Sequence, residues 1–297
     1  MTAQGLAGDG IKPEATTSSG PGARAPGPAT VPAAGAAGPG SSSASGQAAA
    51  LRTVDLTLGF GQRTILSGVS VDIRNGAVTA LIGPTGSGKS TLLRTFNRMN
   101  DKVVGYRHDG DVLLDGQSIW HPHVELMSLR RRVGMLFQRP NPFPMSIMDN
   151  VVAGVKAHKM APRHELAAIC ERRLRQVGLW DAVAGRLKDS PFRLSGGQQQ
   201  LLCLARALAV EPEVLLLDEP TSSLDPMAME SIEALIRTLV PELTVVIVTH
   251  NLPQATRVSD QTMFLFNGRM VEHGDTRQLF EHPAEDETAH YVSGRFG

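Results

Sequence analysis

A glycine-rich stretch limits the fold of this 297-residue chain more than any other feature. It fits the pattern G-x-x-x-x-G-K-[ST]. Its residues are Gly83, Pro84, Thr85, Gly86, Ser87, Gly88, Lys89, Ser90 and Thr91. The apolar run Val78–Ile82 before it predicts a strand covered on both faces, and Lys89–Met99 after it predicts a helix. Strand, glycine-rich turn and helix in this order predict an α/β fold with a parallel sheet and a phosphate-binding loop.

The residue types in this loop suit a chain of phosphates. Glycines allow the backbone to turn tightly and to aim several N–H groups inward, and the start of a helix adds positive partial charge. Lys89 can neutralise the terminal phosphates, and the Ser90 hydroxyl can bind Mg²⁺. A glycine-rich turn without a ligand is the competing interpretation, which the flanking strand and helix disfavour.

A second element is the apolar run Val214–Leu217, which ends in the carboxylates Asp218 and Glu219. Asp218 would lie at the strand tip and hold the hydrated Mg²⁺. Glu219 would polarise the water that attacks the γ-phosphate. Adjacent carboxylates after a strand are common, so this interpretation depends on the phosphate loop.

A third element is the segment LSGGQQQ at 194–200, which opens a predicted helix. Ser195 is a plausible N-cap, and Gly196 and Gly197 allow a phosphate or another backbone to approach closely. LSGGQ between a phosphate loop and a carboxylate-ended strand resembles the signature of ATP-binding cassette (ABC) ATPases.

This resemblance implies roles for further residues, each at a matching position. Gln138 matches the glutamine that senses Mg²⁺ and the γ-phosphate, and His250 matches the switch histidine that contacts the γ-phosphate. Asp225 ends a loop that crosses to a partner subunit. Phe60 lies where the family stacks an aromatic ring on adenine, although tyrosine is more usual there.

The resemblance therefore implies a complete site for ATP and Mg²⁺. The implied catalytic residues are Glu219, His250, Gln138 and Lys89. The implied nucleotide contacts are Phe60, the nine residues Gly83 to Thr91, Ser195, Gly196, Gly197, Gln198 and Asp225. The implied Mg²⁺ ligands are Ser90, Gln138 and Asp218. Two copies of the chain would enclose each ATP, because the signature residues of one copy act on the γ-phosphate held by the other.

The chain further resembles the nucleotide-binding subunits of bacterial phosphate importers. The resemblance lies in the segments 97–101, 134–151, 194–200, 247–260 and 291–297. It implies two transmembrane permease subunits as partners, an external phosphate-binding protein that acts through the complex, and a peripheral location on the cytoplasmic face of the membrane.

Some residues differ from those usual in this subfamily. Leu201 stands where arginine is usual, Thr85 and Ser87 replace Ser and Cys, and Ser223 replaces Ala.

An importer for another solute, such as amino acids, would share all the catalytic residues. A soluble ABC ATPase of DNA repair would normally carry a long coiled coil between the two motifs, where no sustained heptads occur.

Composition and charge limit the domain organisation and the partners of the chain. In residues 1–50, 36 positions are Gly, Ala, Pro or Ser, which predicts a disordered tail. Residues 51–297 are expected to form an ABC-type P-loop domain with an N-terminal antiparallel β subdomain and a helical subdomain inserted at about 141–208. The formal net charge of +0 argues against a nucleic-acid partner. Two cysteines, Cys170 and Cys203, suit a reducing compartment.

Overall fold

The computed structural model describes residues 49–222 and 224–295. The expected disorder of the tail therefore lies outside the described residues, except at its last two positions. Ala49 and Ala50 belong to the first strand, and Ala50 is buried. Ser223, Phe296 and Gly297 also lie outside the described residues.

Strands and helices alternate through most of the described chain. The strands are β1 (Ala49–Phe60), β2 (Arg63–Arg74), β3 (Val78–Ile82), β4 (Tyr106–Leu114), β5 (Gln117–Ser118), β6 (Val133–Leu136), β7 (Val214–Asp218), β8 (Thr244–Val248), β9 (Gln261–Phe266) and β10 (Arg269–Asp275). The α-helices are α1 (Lys89–Thr95), α2 (Leu126–Arg132), α3 (Ile147–Ala157), α4 (Leu166–Gln176), α5 (Trp180–Val183), α6 (Gly196–Leu208), α7 (Pro226–Leu239), α8 (Leu252–Val258), α9 (Thr276–Glu281) and α10 (Asp286–Val292). Short 3₁₀ helices cover Asn100–Lys102, Arg163–Glu165, Ala184–Arg186 and Pro191–Arg193.

The N-terminal strands form an antiparallel sheet in the order β2-β1-β4-β5. The pairing of β1 with both neighbours shifts register near Asp55, whose φ is 47°. Leu56 and Leu58 are fully buried, whereas Val54 is 44% exposed. The alternation of the β1 sequence therefore does not bury Val54, because a bulge moves side chains on its two sides to opposite faces.

The second sheet has the order β10-β9-β3-β8-β7-β6. Five of these strands run parallel, and β10 pairs antiparallel at one edge. Every residue of β3, β7 and β8 is buried, as their apolar sequences predict. The glycine-rich loop, Gln138, Glu219 and His250 each follow the carboxyl end of one of these parallel strands. Because parallel strands end at the same edge of a sheet, these residues all lie at that edge.

Two apolar cores cover the two faces of this sheet. One lies against the antiparallel sheet and includes Leu56, Phe96 and Val246. The other joins the sheet to the helices α3 to α6 and includes Val151 and Cys170. These helices fall within the expected helical segment 141–208, and the predicted parallel α/β core with an antiparallel N-terminal sheet is confirmed.

Helix α1 is shorter than predicted. The sequence predicts a helix over Lys89–Met99, but α1 ends at Thr95. Arg98 takes a left-handed conformation, with φ of 58°. The Arg98 N–H donates to the Thr95 carbonyl and the Met99 N–H donates to the Arg94 carbonyl, both at 2.9 Å. These bonds close the helix in the pattern of a Schellman cap, here formed by arginine instead of the usual glycine.

Within the described ranges, no helix has the length and apolar character needed to span a membrane.

Candidate active site

The glycine-rich loop joins β3 to α1, and its shape requires glycine at both ends. Gly83 has φ of 143°, and a Cβ atom there would lie 2.1 Å from the Leu265 carbonyl oxygen. Gly88 has φ of 100°, and a Cβ atom there would lie 2.8 Å from the Leu66 side chain. The loop is therefore held against β9 and β2 at a distance that other residues cannot match.

Lys89 lies under this loop and is only 7% exposed. Its Nζ donates hydrogen bonds to the carbonyl oxygens of Gly83 at 2.8 Å and Pro84 at 2.9 Å. Burial lowers the pKa of Lys89, while the nearby carboxylates of Glu219 and Asp218 act to raise it. Carbonyl oxygens are neutral partners, so an anion at the loop would satisfy this ammonium better.

Two hydroxyl groups add polar atoms to the loop. Ser87 is buried, and its Oγ has no hydrogen-bond partner in the part of the chain that the structure describes. Ser90 donates from its Oγ to Oδ1 of Asp218 at 2.8 Å. The other oxygen of Asp218 accepts from an Arg94 guanidinium nitrogen at 2.8 Å, and Asp218 is almost fully buried. Arg94 thus compensates the charge of a carboxylate that burial would otherwise disfavour.

Glu219 is the centre of a second group of side chains. Its backbone has φ of 46°, and its N–H donates to the Val248 carbonyl at 3.0 Å. Its Oε2 accepts from Gln138 Nε2 at 2.8 Å and lies 3.3 Å from His250 Nδ1. The structure therefore brings together three of the four residues to which the family resemblance assigns catalytic roles. Glu219 is only partly exposed, whereas Gln138 and His250 are exposed to solvent.

A cavity of about 330 Å³ joins the loop to this second group. Its lining residues are Arg63, Ile65, Thr85, Gly86, Gly88, Lys89, Ser90, Thr91, Glu219 and His250. Arg63 and Ile65 belong to β2, and no sequence motif marks them as part of the site. Arg63 adds a second cation to the cavity, which is suited to an anionic ligand.

Other predicted nucleotide contacts do not line this cavity in the described structure. Phe60 ends β1, with its ring centroid 5.7 Å from that of Tyr106. Ser195 and Gln198 form a capping box at the start of α6, since each side chain accepts from the backbone N–H of the other. Asp225 caps α7 by accepting from the Ala228 N–H at 3.0 Å.

The donor atoms at Ser90 and Asp218 fit a hard divalent cation such as Mg²⁺, because both are oxygens and lie within 2.8 Å of each other. Among the described residues, no group of three or more His, Cys, Asp or Glu side chains is arranged to hold a metal. The oxygens of Ser90 and Asp218 would form part of a coordination shell, as is usual for Mg²⁺ that also binds phosphates and water.

A family model described as ABC transporter matches residues 66–222, more than half of the chain. The phosphate import ATP-binding protein PstB of Mycobacterium intracellulare is 66% identical over 243 residues, which cover 82% of this chain and 85% of that protein. The phosphate import ATP-binding protein PstB of Pseudoalteromonas translucida is 53% identical over 248 residues, which cover 84% of this chain and 90% of that protein.

Solved structures give the same picture of the fold. CbiO1 of Clostridium perfringens, part of the ABC transporter complex cbiONQ, matches with a TM-score of 0.68 and 29% identity, covering 84% of this chain and 96% of that one. A bacterial Atm1-family ABC exporter with ATP bound matches with a TM-score of 0.71 and 27% identity over 84% of this chain, which spans 42% of the exporter chain. The predicted family and fold class are confirmed: the chain belongs to the ABC transporter family, in the group of the phosphate import ATP-binding proteins.

Proposed function

We propose that this chain is the ATP-hydrolysing subunit of an importer for inorganic phosphate and that it works as a pair of identical copies. One observation carries the catalytic part of the proposal. The loop that holds Lys89 and the group formed by Glu219, Gln138 and His250 line or adjoin one cavity at the carboxyl edge of one sheet. The relatives' role in phosphate import supports the choice of solute.

The reaction follows from the positions of these side chains. Lys89 neutralises the terminal phosphates of ATP, and the backbone N–H groups of the loop bind the phosphate oxygens. A water molecule attacks the γ-phosphorus, Glu219 takes up a proton of that water, and the bond from phosphorus to the bridging oxygen of ADP breaks. Gln138 orients the Glu219 carboxylate through the 2.8 Å hydrogen bond. His250, whose Nδ1 lies 3.3 Å from Glu219 Oε2, would contact the γ-phosphate beside Glu219.

Mg²⁺ belongs to the same proposal. Ser90 and Asp218 would hold it, and Gln138 would join them through its side-chain oxygen while its Nε2 stays bonded to Glu219. When bound, Mg²⁺ neutralises the negative charge that develops on the phosphate oxygens.

A second copy of the chain completes the site. Ser195 and Gly196 are exposed at the start of α6, and Gly197 and Gln198 are partly exposed beside them. The N-terminus of a helix favours an anion, so this end of α6 suits the γ-phosphate that the other copy holds. Asp225, exposed at the start of α7, lies on the same cross-subunit contact, and Phe60 supplies its ring to adenine at the rim of the site.

The loop after Gln138 is the proposed contact with the permease subunits. Phe143 and Met145 are each 41% exposed in this loop. The Arg206 guanidinium carbon lies 4.1 Å from the centroid of the Phe143 ring, and Asn150 exchanges two hydrogen bonds with the Phe143 backbone. An exposed apolar surface on a braced loop suits a helix of another subunit. The external phosphate-binding protein acts through these two permeases, and the chain lies on the cytoplasmic face of the membrane.

Glu219→Gln tests the catalytic assignment. The variant keeps the shape of the side chain but removes the proton acceptor, so it should bind ATP and lose hydrolysis by about 10²- to 10⁴-fold. It should also accumulate as an ATP-bound dimer in gel filtration. Near-normal turnover in this variant would contradict the assignment of Glu219 as the base.

Uptake measurements in cells test which solute is transported. A strain that lacks this gene should lose uptake of radiolabelled phosphate and regain it with the wild-type chain but not with Glu219→Gln. Uptake of a labelled amino acid in the same cells is the control and should stay constant. Loss of amino-acid uptake with intact phosphate uptake would refute the choice of phosphate.

A further inference from the structure

Gln200 is the third glutamine of the LSGGQQQ segment, and it points into the protein. It lies on α6 and is 1% exposed. Its Nε2 donates to the carbonyl oxygen of Phe137 at 2.9 Å and to that of Pro220 at 3.3 Å. Since these two oxygens belong to different loops, one side-chain amide joins three separate segments of the chain.

Both loops carry residues of the proposed reaction. Phe137 directly precedes Gln138, and Pro220 directly follows Glu219. Gln138 and Glu219 are in turn joined by their own hydrogen bond of 2.8 Å. The contacts therefore form a closed ring, in which Gln200 holds the backbones of the two loops and the two catalytic side chains meet on the other side.

The second polar atom of the Gln200 amide supports a functional interpretation. Its Oε1 is buried and has no hydrogen-bond partner among the described residues. An unsatisfied buried acceptor lowers stability, so an apolar side chain of similar size would avoid this loss. The opposite orientation of the amide would place its oxygen against two carbonyl oxygens. The two donated bonds are therefore what this glutamine contributes.

The neighbouring glutamines make only local contacts. Gln198 belongs to the capping box with Ser195, and Gln199 donates to the Leu194 carbonyl at 2.9 Å. Both bonds stay within the first turn of α6 and the two residues before it. Because successive residues on a helix differ in direction by about 100°, only Gln200 of the three faces the loops that follow β6 and β7.

We propose that Gln200 is a positioning residue that couples helix α6 to the alignment of Gln138 with Glu219. This inference rests on the proposed function, in which those two residues act on ATP. The N-terminal end of α6 carries Ser195 and Gly197, the proposed contacts to the γ-phosphate of the other copy. Five residues of helix, about 7.5 Å, separate Ser195 from Gln200. A displacement of α6 when the two copies close thus reaches both catalytic loops through one amide.

Gln200→Met is the first test, with Gln199→Met as its matched control on the same helix. Methionine keeps the length of the side chain and removes both donated hydrogen bonds. In the full-length chain, Gln200→Met should lower kcat by about 10- to 100-fold, the size of effect expected from a misplacement of about 1 Å. The KM for ATP should stay near the wild-type value, and Gln199→Met should retain kcat. The unfolding temperature of Gln200→Met should fall, because the carbonyl oxygens of Phe137 and Pro220 lose their donor.

A double-mutant cycle separates positioning from a general structural role. If Gln200 acts through Glu219, adding Gln200→Met to Glu219→Gln should cause little further loss of kcat. Additive losses would overturn the proposal, as would a Gln200→Met chain with the kcat of the wild type. A wild-type chain without ATPase activity would instead refute the proposed function itself.

A second variant covers the case in which Gln200→Met does not fold. Gln200→Asn keeps the amide but shortens the side chain by one methylene, so it cannot reach both carbonyl oxygens. It should show the same fall in kcat with an unchanged KM. If neither variant folds while Gln199→Met does, Gln200 is a structural residue and the positioning role is refuted.

Discussion

Lys89→Met should weaken ATP binding without weakening AMP binding. Methionine keeps most of the aliphatic length of lysine and removes the ammonium that donates to Gly83 and Pro84. If Lys89 serves the terminal phosphates, the variant loses a hydrogen bond to a charged group on ATP. AMP lacks those phosphates, so it provides a control within the same protein.

The expected loss of ATP affinity is that of one hydrogen bond to a charged group. A hydrogen bond to a charged group contributes about 1.5–3 kcal/mol, which corresponds to a rise of about 10- to 150-fold in the Kd for ATP. Folding does not gain from the ammonium, because burial lowers the pKa of Lys89. This unfavourable contribution is full below the lowered pKa and disappears as the pH rises from the lowered pKa towards the ordinary value of 10.5. The variant should therefore unfold at a temperature close to that of the wild type.

Calorimetric titration of both nucleotides gives the result directly. In Lys89→Met, the Kd for ATP divided by the Kd for AMP should rise by about 10- to 150-fold, the size expected for one charged hydrogen bond. Equal losses for ATP and AMP would mean that the substitution has distorted the loop. An unchanged Kd for ATP would refute the role of Lys89 in binding the terminal phosphates.

Two further predictions concern other parts of the chain. Ser195→Arg should abolish ATP hydrolysis while the monomer still binds nucleotide in a filter assay, because the exposed start of α6 serves the other copy; undiminished hydrolysis would refute the cross-subunit site. Glu233→Gln should lower the free energy of urea unfolding at pH 7 by about 1.5 kcal/mol, the low end for a charged hydrogen bond since Arg257 is half exposed. Hydrogen bonds from Arg257 lower the pKa of Glu233, so this stabilisation is present above the ordinary value of 4.5 and is lost as the pH falls through the lowered pKa. A difference between the two proteins that is as large at pH 3 as at pH 7 would contradict this reasoning.

Local sequence predicts the parts of the site that depend on neighbouring residues in the chain. The apolar run of β3 and the glycines after it predict a strand, a tight turn and a helix, and all three occur as predicted. The capping role of Ser195 also depends on residues only three positions away. In the same way, the strands that end before Gln138, Glu219 and His250 bring those residues to one edge, because parallel strands share their direction.

Features that depend on pairing between strands escape such reasoning. The exposure of Val54 results from a shift of register against two partner strands, and nothing in its own alternating sequence marks the bulge. Helix α1 ends early because Arg98 takes the left-handed conformation. At helix ends this conformation is usually found at glycine and sometimes at asparagine, so the sequence does not mark Arg98 for it. Arg63 faces the cavity because β2 packs beside the loop, and it lies 20 residues before Gly83 without any motif.

The signature helix shows why a motif can be found before all its functions are. Four successive residues of α6 point in four directions. Gln198 caps the helix, Gln199 bonds to the Leu194 carbonyl, Gln200 bonds to the loops after β6 and β7, and Leu201 packs at the edge of the apolar core. The first two contacts are local and follow from helix geometry. The Gln200 contacts join residues 63 and 20 positions apart, so only the folded chain reveals them. Leu201 packs against apolar neighbours, so α6 does not need the arginine that is usual there in order to hold the two loops. The proposed requirement for an amide at position 200 and the tolerance of leucine at position 201 then have one cause, which is the face of α6 that each residue occupies.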